Sequence, residues 1–317
     1  MMLNATDVHL TTFAEDVRRS LQLTPRQLPS QYLYDPLGSA LFNAICELPW
    51  YGITRAENRL LAAHRDEVFE RLPDVTRIVE LGPGDGSKLR TLVERVPAPL
   101  TAHLIDVSGE ALNRATQTLA DLEHIRTVVH TASFEDGLST IAALPEDVRA
   151  LVLFLGSNIG NFDRPTSEQL LRRIHRSVGA DGALLVGADL VKPERDLLAA
   201  YDDPLGVSAA FNLNVLHRIN RELGGSFDIA AFRHRAVWNA ACSRMEMFVV
   251  ATKAQRVRID ALDVDISFAA GDSIWTESSY KYTADGVIRQ LDDAGFETIE
   301  QWIDAEGAFA LSLAQAI

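Results

Sequence analysis

A chain of 317 residues with 47% apolar content and a formal charge of −14 can bury a sizeable core, as one large domain or two intimately packed ones. The acidic balance opposes a polyphosphate backbone, and no Lys/Arg run or basic stripe offsets it, so no nucleic-acid partner is expected. Met1–Thr12 lack a basic leader before an apolar stretch, and no uncharged apolar run approaches the ~20 residues of a membrane span, so the expectation is a cytoplasmic protein without a membrane partner. Cys46 and Cys242 show neither disulfide-framework nor metal-ligand spacing; two buried free thiols and no metal are expected. The eight histidines form no ligand pattern and read as structural.

The first 60 residues read as mainly helical, interrupted by a turn-rich stretch, Tyr34-Asp-Pro-Leu-Gly-Ser39. From Arg77 apolar strand-like runs alternate with amphipathic helices, the pattern of βαβ units and a parallel sheet. Strands are expected at Arg77–Leu81, Leu100–Val107, Ile125–Ala132, Ala150–Gly156 and Ala183–Leu190. Ser108 can cap a helix to about Glu123, and Thr166 with Gln169 has capping-box spacing before another. After Leu190 two helical stretches, Pro193–Asp202 and Gly206–Leu223, follow without a strand between them. Period-2 alternation then marks antiparallel strands at Arg233–Trp238, Met245–Thr252, Arg256–Asp260 and Asp265–Ala269. A helix from Thr283 to Gly295 leads to a closing pair, Thr298–Ile303 and Phe309–Leu313. The expected fold is α/β: a Rossmann-like parallel sheet with an antiparallel closing strand and an inserted α+β subdomain. The expected boundaries are a helical segment 1–62, a discontinuous main domain 63–195 and 286–317, and a subdomain 196–285.

The first strand runs into Glu80-Leu81-Gly82-Pro83-Gly84-Asp85-Gly86-Ser87-Lys88, where absent Cβ atoms let backbone approach a ligand closely. The spacing is GxGxG rather than the GxGxxG of dinucleotide sites, and it resembles the first motif of class I methyltransferases, implying S-adenosylmethionine as cofactor. Gly82 and Gly84 form the turn, and Lys88 either shapes it or meets the cofactor's carboxylate. Asp106, ~20 residues on at the end of the second strand, occupies the position expected to accept from ribose hydroxyls. Phe134 can pack on the adenine, while Ser133 stands where this fold more commonly has Asp. The fourth strand ends in Phe154-Leu-Gly156-Ser-Asn-Ile-Gly-Asn161-Phe162, in the crevice where open α/β sheets bind ligands.

Further stretches are Leu33-Tyr34-Asp35, Leu48-Pro-Trp-Tyr51, Asp189-Leu-Val-Lys192, Ala200-Tyr-Asp-Asp203, Ala209-Ala-Phe-Asn212, Arg244-Met-Glu-Met247 and Thr276-Glu-Ser-Ser279. Together with the glycine turn and the Phe154–Asn161 loop they resemble the L-histidine Nα-methyltransferases of ergothioneine biosynthesis, over almost the whole chain. The resemblance implies three successive transfers that convert histidine to hercynine, with S-adenosylhomocysteine as by-product, and we expect a monomer. It implies that Asn161 and Tyr201 bind the substrate carboxylate, that Tyr51 lies near the amine, and that Tyr34 belongs to the pocket's polar network. It also implies that Glu277 and Ser279 hold the imidazole beside Met247. A carboxylate plus a hydroxyl can satisfy both imidazole nitrogens, and an unpaired polar edge there costs ~1–3 kcal/mol. Two other readings stand beside this one: an Nα-methyltransferase of another aromatic amino acid such as tryptophan, which would waste Glu277, and a non-catalytic S-adenosyl-binding module.

Overall fold

The computed structural model describes residues 5–144 and 149–317, and its contacts divide the chain into two compact units, 1–51 with 192–279 and 52–191 with 280–317. In chain order the first unit opens with α1 (Ala5–Leu21), β1 (Arg26–Gln27) and α2 (Pro36–Glu47). The second unit follows: α3 (Gly52–Arg71), β2 (Arg77–Leu81), α4 (Ser87–Val93), β3 (Leu100–Asp106), α5 (Gly109–Leu119), β4 (Ile125–Thr131), α6 (Phe134–Ala142), β5 (Ala150–Phe154), α7 (Arg164–Val178) and β6 (Ala183–Asp189). The chain returns to the first unit for α8 (Glu194–Tyr201), α9 (Val207–Leu223), β7 (Phe232–Asn239), β8 (Arg244–Ala251), β9 (Gln255–Ile259), β10 (Val264–Phe268) and β11 (Ser273–Tyr280). It ends in the second with α10 (Ala284–Asp293), β12 (Phe296–Asp304) and β13 (Phe309–Ala316). The unit bounds fall at 51/52, 191/192 and 279/280, where the sequence suggests 62/63, 195/196 and 285/286; the first differs because α3 is one unbroken helix packed on α4, β12 and β13.

The second unit is a seven-stranded sheet in the order β12-β13-β6-β5-β2-β3-β4, in which β13 runs antiparallel to both neighbours. Every residue of β5 and β6 is buried, as parallel strands covered on both faces require. The chain lays β2, β3 and β4 to one side and then resumes at β5 on the other side of β2. That reversal makes the carboxyl ends of β2 and β5 the switch point where such sheets bind ligands. The first unit holds a four-stranded sheet, β1-β11-β8-β7, and a separate antiparallel ribbon of β9 and β10. No helix among the described residues is long and apolar enough to cross a membrane.

Local chemistry explains where the elements start, and it corrects several expectations. The cap of α7 is Asp163, which accepts from Thr166 N at 2.9 Å, so Thr166 is inside the helix rather than before it. Pro165 in the first turn makes that earlier start favourable. Ser108 caps α5 as expected, but the helix ends at Leu119. The stretch Pro36–Ser39, expected as turn, is the first turn of α2, with Asp35 as its cap. The sequence reading had no strand at Ser273–Tyr280, although β11 sits inside the first unit's sheet; its burial alternation breaks between Thr276 and Ser279, which hides the period of 2. Cys46 is half-buried and Cys242 is exposed in the β7–β8 turn, so neither thiol is the fully buried residue expected.

On one face of β3 and β4, His103 and His130 stack with centroids 5.2 Å apart, and Nδ1 of the first lies 2.9 Å from Nε2 of the second. Burial, then the neighbouring His130, push the His103 imidazole down to about 4. A folded-state value below the ordinary one makes the stability contribution of neutral His103 complete above pH 6.5 and lost as pH falls towards 4. Wild type should lose ~2–3 kcal/mol relative to His103→Phe over that interval, read as diverging Tm values at pH 6.5 and pH 4.5. Parallel Tm curves would remove the pair as an acid-sensitive element.

Candidate functional site

In the first unit, Tyr34 leaves a 3-10 turn, Ser30–Leu33, and precedes the α2 cap. Asp35 accepts from Gly38 N at 2.7 Å, Asn214 Nδ2 at 2.7 Å and the Arg221 guanidinium at 2.6 Å. Burial alone would raise the Asp35 carboxyl, but these donors together hold it below its ordinary range, so it stays charged and anchors the segment. The Tyr34 ring then packs edge-on against Phe42 at 5.4 Å and Phe211 at 5.3 Å. Phe42 meets Tyr51 at 6.1 Å, and Tyr51 meets Tyr201 at 6.4 Å. The Tyr201 hydroxyl donates to Ser279 Oγ at 2.8 Å.

Burial, then the Glu277 carboxylate, Tyr201 and Cys46, raise the Tyr34 phenol well above its ordinary value. Tyr34 is therefore a hydroxyl donor at neutral pH and not a phenolate. Glu277 and Ser279, two residues apart, share one face of β11. Met247 is buried on β8, and its carbonyl lies 2.9 Å from Thr276 Oγ1. The first unit thus brings together Tyr34, Tyr51, Tyr201, Met247, Glu277 and Ser279. Asn161 is in the other unit, at the end of a 3-10 turn, Asn158–Asn161.

In the second unit, β2 passes into Gly82 and Gly84, both in the left-handed region with φ of 72° and 59°. A Cβ on Gly82 would fall 3.1 Å from Asn158 Nδ2 and 3.5 Å from Phe134, whereas the space beside Gly84 is open. Lys88, in the first turn of α4, pairs at 2.5 Å with the fully buried Glu57, whose two oxygens also accept from Gly156 N at 2.7 and 2.9 Å. Asp106 accepts from Ser108 N at 2.8 Å, and burial, opposed by the Ser108 and Val107 amides, raises its carboxyl. Phe134 meets Phe154 edge-on at 5.9 Å. Ser133 is the cap of α6: its Oγ accepts from Asp136 N at 3.1 Å and lies 2.9 Å from Asp136 Oδ2.

The family model described as histidine-specific, S-adenosylmethionine-dependent methyltransferase matches residues 13–316. The chain belongs to that family. The methyltransferase is 39% identical to histidine N-alpha-methyltransferase of Mycolicibacterium smegmatis, over 98% of this chain and 97% of that protein. It is 41% identical to the histidine N-alpha-methyltransferase of Mycobacterium tuberculosis, over 94% of this chain and 93% of that one. Ergothioneine biosynthesis protein 1 of Neurospora crassa is 28% identical over 88% of this chain, which covers 32% of the fungal protein.

The second unit's residues fit S-adenosylmethionine on two observations. The crevice between Gly82, Asn158 and Phe134 is one that a Cβ would begin to fill, and the buried Glu80 Oε2 has no hydrogen-bond partner. Among the described residues no group of three or more His, Cys, Asp or Glu is arranged to hold a metal ion. Sequence reasoning missed Glu57 and the Phe42 wall, and it had Asn158 only as part of the Phe154–Phe162 loop, without a role of its own. A signal existed for Glu57: with Ile53, Ala56, Leu60 and Leu61 it falls on the helical period of α3's buried face. Phe42 carries no such signal, because its neighbours Tyr34, Tyr51 and Phe211 come from three separate segments.

Burial, eased by Lys88 and reinforced by Glu57, Asp85 and Asp106, raises the Glu80 carboxyl to about 8. With the folded-state value above the ordinary 4.5, the stability linked to protonated Glu80 is complete below pH 4.5 and lost as pH rises through about 8. Glu80→Gln keeps the shape without the titration, so the methyltransferase should lose Tm relative to this variant between pH 5 and 8.5. A constant Tm difference would show that Glu80 is ionised throughout.

Proposed function

We propose that the methyltransferase transfers methyl groups to the α-amino nitrogen of L-histidine, three in succession to give hercynine, the opening reaction of ergothioneine biosynthesis. The observation that carries this reading is the Tyr201–Ser279 hydrogen bond on the strand that bears Glu277, beside a Tyr34 phenol that senses the same carboxylate. Ser279 offers a hydroxyl to one imidazole nitrogen and Glu277 a carboxylate to the other. An indole has no second nitrogen for this pair, which ranks histidine above tryptophan. Met247 supplies an apolar contact to the ring. Tyr201 offers its phenol hydroxyl and Asn161 its side-chain amide as donors suited to a carboxylate.

S-adenosylmethionine, when bound, supplies a methyl group already activated on a sulfonium. Gly82, Gly84, Lys88, Asp106, Phe134, Gly156 and the capping Ser133 are the residues proposed to hold it, with Asp106 on the ribose and Phe134 on the base. What remains for the protein is to present a neutral amine in line, since a free α-amino group has a pKa of ~8 and is mostly protonated at pH 7. Tyr51, 7% exposed among other rings, orients the lone pair by hydrogen bonding in a partly desolvated setting that favours the neutral amine. Tyr34, held protonated, donates within the pocket and is no base. The amine proton leaves to solvent.

Incubation with S-adenosylmethionine and each of the twenty amino acids, followed by mass spectrometry, should yield mono-, di- and trimethylated histidine alone. Glu277→Ala should weaken histidine binding roughly 10–100-fold, the cost of an unpaired imidazole edge, with S-adenosylhomocysteine affinity unchanged in calorimetry. Methylation of another amino acid in preference to histidine, or equal loss of both ligands, would overturn the assignment.

A further inference from the structure

Four of the substrate-side residues of the first unit, Tyr201, Met247, Glu277 and Ser279, lie on α8, β8 and β11, and one buried side chain joins these three elements. Asn212, on α9, is fully buried. Its Nδ2 donates to His234 Nδ1 at 2.8 Å and to the Phe248 carbonyl at 3.0 Å, and its Oδ1 lies 2.6 Å from Thr276 Oγ1. Because an amide nitrogen only donates, His234 Nδ1 is the acceptor and Nε2 carries the hydrogen. Nε2 donates that hydrogen to the Tyr201 carbonyl at 2.9 Å. The Thr276 hydroxyl hydrogen lies between Asn212 Oδ1 and the Met247 carbonyl, the latter 2.9 Å away. Each hydrogen of the amide has an acceptor, and the chain of bonds ends on Tyr201 at one side and on Met247 and the residue before Glu277 at the other.

We propose that Asn212, with Thr276 and His234, is a positioning unit that sets the spacing between Tyr201 and the Glu277–Ser279 segment, and thereby the fit of the substrate. This rests on the reading of that cluster as the histidine site. None of the three need touch substrate: they hold backbone, Tyr201 through its carbonyl and β8 and β11 through Met247 and Thr276. Buried networks of this kind have two properties that matter here. Fully satisfied they rigidify, and with one member removed the partners left behind are unpaired in a medium without water. A displacement of Tyr201 relative to the Glu277–Ser279 segment would weaken their 2.8 Å contact and change the spacing of the groups proposed to meet the two ends of a small zwitterion.

Thr276→Val is the test, because valine keeps the branched shape and loses only the hydroxyl. Histidine is titrated calorimetrically in the presence of S-adenosylhomocysteine, and S-adenosylhomocysteine alone in parallel, on wild type, Thr276→Val and Thr276→Ser. A positioning role predicts histidine affinity and KM weakened about tenfold or more in Thr276→Val, with S-adenosylhomocysteine affinity within twofold and recovery in Thr276→Ser. Histidine affinity unchanged in folded Thr276→Val, or an equal loss of both ligands, overturns it. Should Thr276→Val not fold, His234→Gln removes the Nδ1 acceptor while offering an amide hydrogen to the Tyr201 carbonyl, and the same split between ligands decides. Wild type that does not bind histidine would refute the substrate assignment instead, which separates the two failures.

Discussion

The cofactor-binding half of this protein depends on one fully buried carboxylate. Glu57 projects from α3 into the sheet's carboxyl end, where it meets Lys88 of the helix after the glycine turn and the backbone amide of Gly156 after β5. A buried ion pair is a poor source of net stability, because desolvating both charges offsets most of their attraction. Breaking one is another matter: an uncompensated buried charge costs about 3–5 kcal/mol, so each partner is obliged to stay. The consequence is geometric. Two loops that leave adjacent strands are tied to one side chain, and Gly187 on β6 leaves room for it, since a Cβ there would fall 2.1 Å from Glu57 Oε1.

The other unit solves the same problem with a different carboxylate. Asp35 is anchored by a cap, an amide and a guanidinium, and that triple contact places Tyr34 at the edge of the Phe42–Phe211 pair. Arg218 reinforces it from the next turn of α9, donating to the Tyr32 carbonyl and lying over the Phe13 ring at 4.7 Å. Both units thus use a buried acidic residue, satisfied by several donors, to fix a loop whose neighbours carry the proposed ligand contacts.

Much of this was legible in residue order, for identifiable reasons. The strands from β2 to β6 were readable because uninterrupted apolar runs between helices have few alternatives, and their ends agree to within two residues. The glycine turn was readable because its φ values are ones that side chains avoid. What failed were choices between nearly equal local signals. Asp163 and Thr166 are both good caps, and Pro165 between them tips the balance to the earlier one. Strand β11 was invisible because its residues answer to two neighbouring strands and to Asn212 rather than to a simple inside and outside. Ser133, read for a ligand, also serves as the cap of α6, since a short hydroxyl three residues before a free amide bonds locally.

Sequence by itself determined the class of the fold, the cofactor turn and the family, because these depend on periodicity, on glycine spacing and on residue identities that are local along the chain. Tertiary structure alone decided which charges are buried together and which side chains hold the site without touching its ligand. Glu57 with Lys88, or Asn212 with His234 and Thr276, are 31, 22 and 64 residues apart, and no local rule relates them. Their pairing comes from the exclusion of water at particular places in the folded chain, where a polar group must find a partner or be penalised for lacking one.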